Sequence, residues 1–195
     1  MPRRYDLGKR QDQKDATRDR IVAAAAELFR DQGAVRTSIA QIAAAADVAP
    51  GTVRNHFPTT DDLAAAVAAY VMVLLRMPGP ELFDGAAEPA ERVAALAHAM
   101  GAYYERSAPW YGMPDLDDAP LPAWAAARAS YNAEYEALVR TALGPLGHDD
   151  SIVRVVAAML DPSLFGSLTR RGYTTNDAAD LIAELVTSWL RANAR

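Results

Sequence analysis

The sequence predicts an all-α fold: an N-terminal three-helix helix-turn-helix head, then a larger C-terminal helical bundle, about nine helices in all. Three observations carry that prediction. Alanine runs in blocks at Ala23–Ala26 and Ala43–Ala46, and alanine is the strongest helix former. Apolar residues recur at helical spacing along most of the chain, and no segment shows a convincing period of two. Capping residues, prolines and glycines stand where those stretches should begin and end. At 195 residues the chain is long enough to bury a sizeable core, and 51% apolar with 23% charged residues is ordinary for a globular protein.

Residues 1–16 are polar, without apolar period, and read as a flexible basic arm. Thr17 looks like a cap, and Ile21, Ala25, Leu28 and Phe29 then form one helical face that Gly33 ends. Thr37 or Ser38 caps a second helix with Ile39, Ile42, Ala43 and Ala46 on its core side. After a break at Asp47-Val48, Pro50 suits the first turn of a short third helix to about His56, which Pro58 stops. Thr59 and Asp62 have capping-box spacing and open a fourth helix to about Arg76. Residues 77–88 are a Pro/Gly linker. Pro89 starts a helix to about Arg106, and residues 107–122 read as a long loop. Further helices fall near 122–143, 149–171 and 176–193, with stops at Gly144-Pro145 and Gly172. Asp161-Pro162 should either kink the 149–171 helix or split it in two. The domain division expected is arm 1–16, helix-turn-helix 17–62 and body 63–195.

Net charge is −5, but it is unevenly placed. Residues 1–60 carry ten Lys/Arg against seven Asp/Glu, a net of +3; residues 61–195 carry ten against eighteen, a net of −8. Lys9, Lys14, Arg3, Arg4, Arg10, Arg18 and Arg20 gather at the start. A positive head on a negative body can meet phosphate while the body stays in solvent; a merely solvated basic tail would look the same from charge alone. The chain has no cysteine, which excludes disulfides and thiolate metal sites. No apolar run follows Met1-Pro2-Arg3-Arg4, and the longest, near Val67–Leu75, is short for a bilayer span. The expectation is a cytoplasmic protein with no membrane partner.

Residues 37–57 read TSIAQIAAAADVAPGTVRNHF. Two short helices surround a tight break there. Ala43 and Ala46 let them approach, and Asp47 is one of the few residues besides glycine that tolerates a left-handed turn. This spacing suits a helix-turn-helix whose second helix lies in the major groove. The stretch Thr17–Leu63 resembles the DNA-binding head of the TetR family of bacterial regulators. The resemblance rests on Leu28-Phe29, Gly33, Thr37-Ser38, Ile42-Ala43, Gly51-Thr52-Val53-Arg54-Asn55-His56-Phe57 and Pro58-Thr59-Thr60-Asp61-Asp62-Leu63. It departs from the family pattern at Ala49-Pro50, at Arg54 in place of a tyrosine, and at Thr60 in place of a lysine.

The resemblance implies a DNA-contacting set of Thr37, Ser38, Ala49, Pro50, Thr52, Arg54, Asn55, His56 and Thr60. Arg54 can pair with phosphate or reach a guanine bidentately, or it is a solvated surface arginine. Thr52 reads as a thymine-methyl or backbone contact, or as plain helix surface. Gly51 either lets the helix approach DNA closely or is a tolerated helix glycine. In the body, Tyr103, Tyr104, Trp110, Tyr111, Trp124, Tyr131 and Tyr135 form an aromatic group. They line a pocket for a small apolar or aromatic effector, or they are core and loop anchors. The pocket set is Met100, Tyr103, Tyr104, Trp110, Trp124, Tyr131 and Phe165.

Apolar stripes on the last two helices imply, by the same resemblance, a homodimer that matches a palindromic operator on double-stranded DNA; burial within one subunit is the alternative. The function implied is a ligand-responsive transcriptional regulator, a repressor by the commonest family habit. The competing reading is an interaction or sensor protein of the same fold that has lost sequence-specific DNA binding. No Gly-rich phosphate loop, catalytic triad or His-x-x-x-His pair occurs, and His56, His98 and His148 are far apart. No enzyme activity, metal or cofactor is therefore expected.

Overall fold

The structure, a computed structural model, describes residues 6–111 and 121–193. Among them are nine α-helices, two short 3-10 segments and no strand. The helices are α1 (Asp6–Gln32), α2 (Ile39–Ala45), α3 (Pro50–His56), α4 (Thr60–Leu75), α5 (Pro89–Tyr111), α6 (Pro122–Leu143), α7 (Asp150–Met159), α8 (Pro162–Thr169) and α9 (Thr175–Asn193). The 3-10 segments are Pro80–Phe83 and Gly144–His148.

The chain divides into two compact units, the described parts of Met1–Leu74 with Pro109–Arg128, and of Leu75–Ala108 with Ala129–Arg195. In the first, α1 contributes Ile21, Ala25 and Phe29, α2 Ile42 and Ala43, α3 Val53, and α4 Leu63, Ala64 and Val67, all buried. The division expected at residue 62 falls inside α4. In the second unit, Val93, Leu96 and Met100 of α5, Val139 and Leu143 of α6, Val153 and Val156 of α7, Phe165 of α8 and Ile182 and Val186 of α9 form one core. Each fully buried Leu, Ile, Val or Phe contributes about 1.5–3 kcal/mol, so a dozen such side chains set the helix packing.

Four of the capping signals act as read. Gly33 ends α1 with φ +86°, a conformation open to glycine. Ser38 caps α2 in a capping box with Gln41, and Pro50 opens α3. Thr59 and Asp62 cap α4 reciprocally, at 3.0 Å in each backbone bond.

Three expectations need correction. The first helix begins at Asp6, not at Thr17. The Thr17 hydroxyl caps nothing; it donates to the Gln13 carbonyl inside the helix (2.8 Å). Residues 8–16 are all exposed, so propensity and i,i+4 pairs such as Gln11–Asp15 support this segment, and an apolar period could not reveal it. The loop expected from 107 starts later, because α5 runs to Tyr111. Pro109 lies in its last turn, where the lost N–H bond disturbs little of the helix before it. The rest of that loop, residues 112–120, lies outside the described residues, as do residues 1–5 of the expected arm. The 149–171 stretch is two helices: α7 ends at Met159 and Asp161 caps α8, its side chain accepting from the Ser163 N–H (2.8 Å).

Two stretches, Thr60–Phe83 and Asp150–Thr169, have the length and apolarity of a membrane span. Neither is one continuous helix. The first breaks after Leu75, where Arg76 has φ +31°, and the second breaks at Leu160-Asp161.

Candidate nucleic-acid interface

The first unit shapes a surface from α2 and α3. Asp47, at φ +52°, turns the chain between them. Ile42, Ala43, Ala46, Val53 and Phe57 face inward and fix the angle of α3 against α2. The outward residues of α3 are then set by elimination. Pro50, Gly51, Arg54 and Asn55 are exposed, and Thr52 and His56 are half-buried. Ala49, just before the helix, is exposed too. A short helix that buries one stripe and presents a basic and amide-bearing stripe can meet a groove with its side chains.

Gly51 has open space around it: a Cβ built there meets nothing within 4 Å. Among the described residues, no packing accounts for a glycine in that helix.

Thr37 and Ser38, before α2, are bonded within the chain. Thr37 Oγ1 donates to the Gly33 carbonyl (2.7 Å) and accepts from Gln32 Nε2 (3.1 Å). Ser38 Oγ donates to Gln41 Oε1 (2.8 Å) and accepts from the Gln41 N–H (3.2 Å). Both hydroxyls hold the α1–α2 corner. Thr60 is exposed at the first position of α4. The same turn carries Asp61 and Asp62. Asp62 caps the helix with Thr59, and Asp61 Oδ1 accepts from the Ala123 N–H at the start of α6 (3.1 Å). Carboxylates therefore occupy the positive end of α4, with the exposed Thr60 beside them.

Two contacts were not read from the sequence. The Arg18 guanidinium lies 5.1 Å from the centroid of the Phe57 ring, joining α1 to the end of α3 by a cation–π contact. Arg30 lies 5.8 Å from the Trp110 ring centroid. Such pairs are distant in sequence and carry no local signal.

The residues expected to line an effector pocket divide between the two units. Met100, Tyr103, Tyr104, Tyr131 and Phe165 belong to the core of the second unit. Trp110 and Trp124 belong to the first. Tyr103 stacks on Tyr131 (6.1 Å between centroids), Tyr131 stacks on Tyr135 (6.1 Å), and Tyr104 meets Phe165 edge-on (5.5 Å). Tyr135, in the aromatic group but outside the pocket set, completes this stack. Gly101 lets α5 pass close to α8 and α9, since a Cβ there would sit 3.0 Å from Phe165 and 3.1 Å from Thr175. Tyr111 side-chain placement lies outside the described residues.

A buried corner of three helices with an outward second helix defines a helix-turn-helix protein, here carried with a larger all-helical unit. Residues 21–67 match the family model of bacterial regulatory proteins, tetR family. The chain is 35% identical over 86 residues to the HTH-type transcriptional regulator HbdR of Aromatoleum sp. (strain CIB), a match covering 44% of this chain and 36% of that one. It thus spans little more than a third of that relative's length. The multidrug binding protein EbrR, solved with imidazole, is 27% identical with a TM-score of 0.57, covering 95% of this chain and 93% of its own. A TetR-family regulator from Bordetella parapertussis 12822 shares the fold at TM-score 0.60 and 22% identity, over 87% of this chain and 93% of that one. The family-model match covers about a quarter of the chain, so the likeness to tetR-family regulators is carried by the helix-turn-helix segment, and the similarity of the rest is one of fold.

Proposed function

We propose that this protein is a ligand-responsive transcriptional regulator of the cytoplasm that acts by binding, not catalysis, and represses from a palindromic operator as a homodimer. The observation that carries this reading is the outward stripe of α3, Pro50, Gly51, Arg54 and Asn55, on a scaffold whose buried residues fix its direction. Arg54 is the base or phosphate contact, Thr52 and His56 flank it, and the +3 head favours approach to phosphate.

The partner copy docks on α8 and α9. Leu185 is 45% exposed on α9 beside buried Ile182 and Val186, an apolar position that one subunit leaves in water. The effector is a small apolar or aromatic molecule recognised by the tyrosine faces of the second unit. That EbrR was solved with imidazole supports a small-molecule site in this fold. Effector binding is transmitted through α4, whose first turn is tied to α6 by the Asp61–Ala123 bond. Ligand and DNA affinities are then reciprocally coupled.

Fluorescence anisotropy tests this reading, using the duplex upstream of the protein's own gene, a scrambled duplex, and duplexes selected from a random pool. Preference for one sequence, steep loss of affinity with salt, and a fall of about 1–3 kcal/mol in Arg54→Ala with an unchanged melting temperature are expected. Equal weak binding to every duplex, with no sequence enriched from the pool, refutes it.

A further inference from the structure

Charge is sorted by face along the start of α1. At about 100° per residue, Arg10, Lys14 and Arg18 fall within about 80° of one another, Asp12, Asp15 and Asp19 lie about 140–200° round from Arg10, and Lys9 and Arg20 lie beyond the acidic face at about 260–280°. Arg10, Lys14 and all three aspartates are exposed, so among the described residues no packing requires either the helix or the sorting. A helix built only for solvation gains from opposite charges placed four apart. Beyond one opposite pair at that spacing in the sequence, Asp6 and Arg10, this one places like charges at i, i+4 and i+8 (Arg10, Lys14, Arg18) and again at Asp15 and Asp19, which costs helix stability in isolation. The arrangement points to an anion supplied from outside.

The last member of the stripe fixes its direction. Arg18 lies over Phe57, the residue that ends α3. The basic face therefore starts beside the end of that helix and runs away from it along α1. Eight residues from Arg18 to Arg10 span about 12 Å at 1.5 Å per residue. At 3.4 Å per base pair along the duplex axis, that is about three to four base pairs. A lipid surface fits less well, because the opposite face is acidic where a membrane-lying helix needs apolar residues.

We propose that Arg10 and Lys14 form a helical phosphate grip that contacts the DNA backbone outside the bases met by α3, with Arg18 as the positioning residue that seats the grip against Phe57. The inference rests on the DNA-binding reading and adds to it a second, sequence-independent contact.

The test compares the wild type with Arg10→Gln/Lys14→Gln and with Arg106→Gln/Arg154→Gln. The last variant makes the same net-charge change on exposed residues of the second unit. Glutamine keeps helix propensity, and circular dichroism checks that each variant folds. The probe is a duplex enriched by the wild type from a random-sequence pool. Each lost phosphate contact flattens the slope of log affinity against log salt by about 0.9, so the grip variant should lose about 1.8 per head. Phosphate ethylation should block the wild type, and not the grip variant, at positions outside the contacted bases.

A slope and ethylation pattern equal to the wild type overturn the inference while leaving DNA binding intact. So does an equal loss in the control variant, which would mean general charge attraction. Unchanged duplex binding with lost binding to phosphatidylserine vesicles overturns it in favour of lipid. If the wild type enriches no duplex and binds none at low salt, the DNA-binding reading falls and the grip falls with it.

Discussion

Replacing Gly51 by alanine separates what the chain wants from what its partner wants. Gly51 is the second residue of α3, exposed, and absent from the residues with positive φ. A Cβ there meets open space. Alanine in a helix is favoured over glycine by about 0.5–1 kcal/mol, because the unfolded chain loses freedom and the helix shields its backbone. For a chain of this size, Gly51→Ala should raise the melting temperature by about 1–4 °C. Binding should move the other way. If α3 approaches the groove with its backbone at Gly51, the added methyl overpacks the contact by about 1–3 kcal/mol, a loss of about 5- to 150-fold. Thermal unfolding and anisotropy on the selected duplex read the two effects separately. A variant that is more stable and binds as tightly as the wild type refutes close approach at Gly51. A lower melting temperature refutes the open space around it.

Other substitutions test the second unit. Gly101→Ala should destabilise the fold by about 1–3 kcal/mol, read from the denaturant midpoint, because its Cβ would press on the Phe165 ring at 3.0 Å and on Thr175 at 3.1 Å. Tyr104→Phe should cost about 1–3 kcal/mol in the same assay, since it leaves the Leu160 carbonyl, now met by the Tyr104 hydroxyl at 3.0 Å, without that donor. Asp149 caps α7, and its carboxyl is held below the ordinary range first by the Ser151 hydroxyl and then by the Ser151 and Ile152 N–H groups. A lowered folded pKa favours the native state above the unfolded pKa and loses that contribution as pH falls through the folded one. The stability gap between wild type and Asp149→Ala should thus be constant near neutral pH and narrow below the ordinary carboxylate range, measured as denaturant midpoint against pH.

The head was legible in the sequence because its geometry is set by short-range chemistry. Ser38 with Gln41, Thr59 with Asp62, Asp47 in its left-handed turn and Pro50 at the start of α3 each act within four residues. A linear reading catches such signals. It missed what depends on distance along the chain or on burial. The start of α1 at Asp6 carries no apolar face to detect. The Arg18–Phe57 contact joins residues on two helices. Asp161-Pro162-Ser163 has the form of a helix start, but the apolar stripe running across it from Val155 to Leu168 made one kinked helix an equally good reading.

The aromatic group in the body shows why burial patterns alone could not separate pocket from core. The break between α7 and α8 leaves carbonyls at the end of α7 without the N–H partners a continued helix would supply. Two tyrosines from other helices answer that need: Tyr135 of α6 donates to the Ala157 carbonyl at 2.7 Å, and Tyr104 of α5 donates to Leu160. These hydroxyls satisfy the chain's own backbone, so they serve the fold first. Recognition of an effector by this cluster would then fall to ring faces and edges, as in the Tyr103–Tyr131–Tyr135 stack. An effector that took the Tyr104 hydroxyl for itself would free the carbonyl that ends α7 and loosen the start of α8.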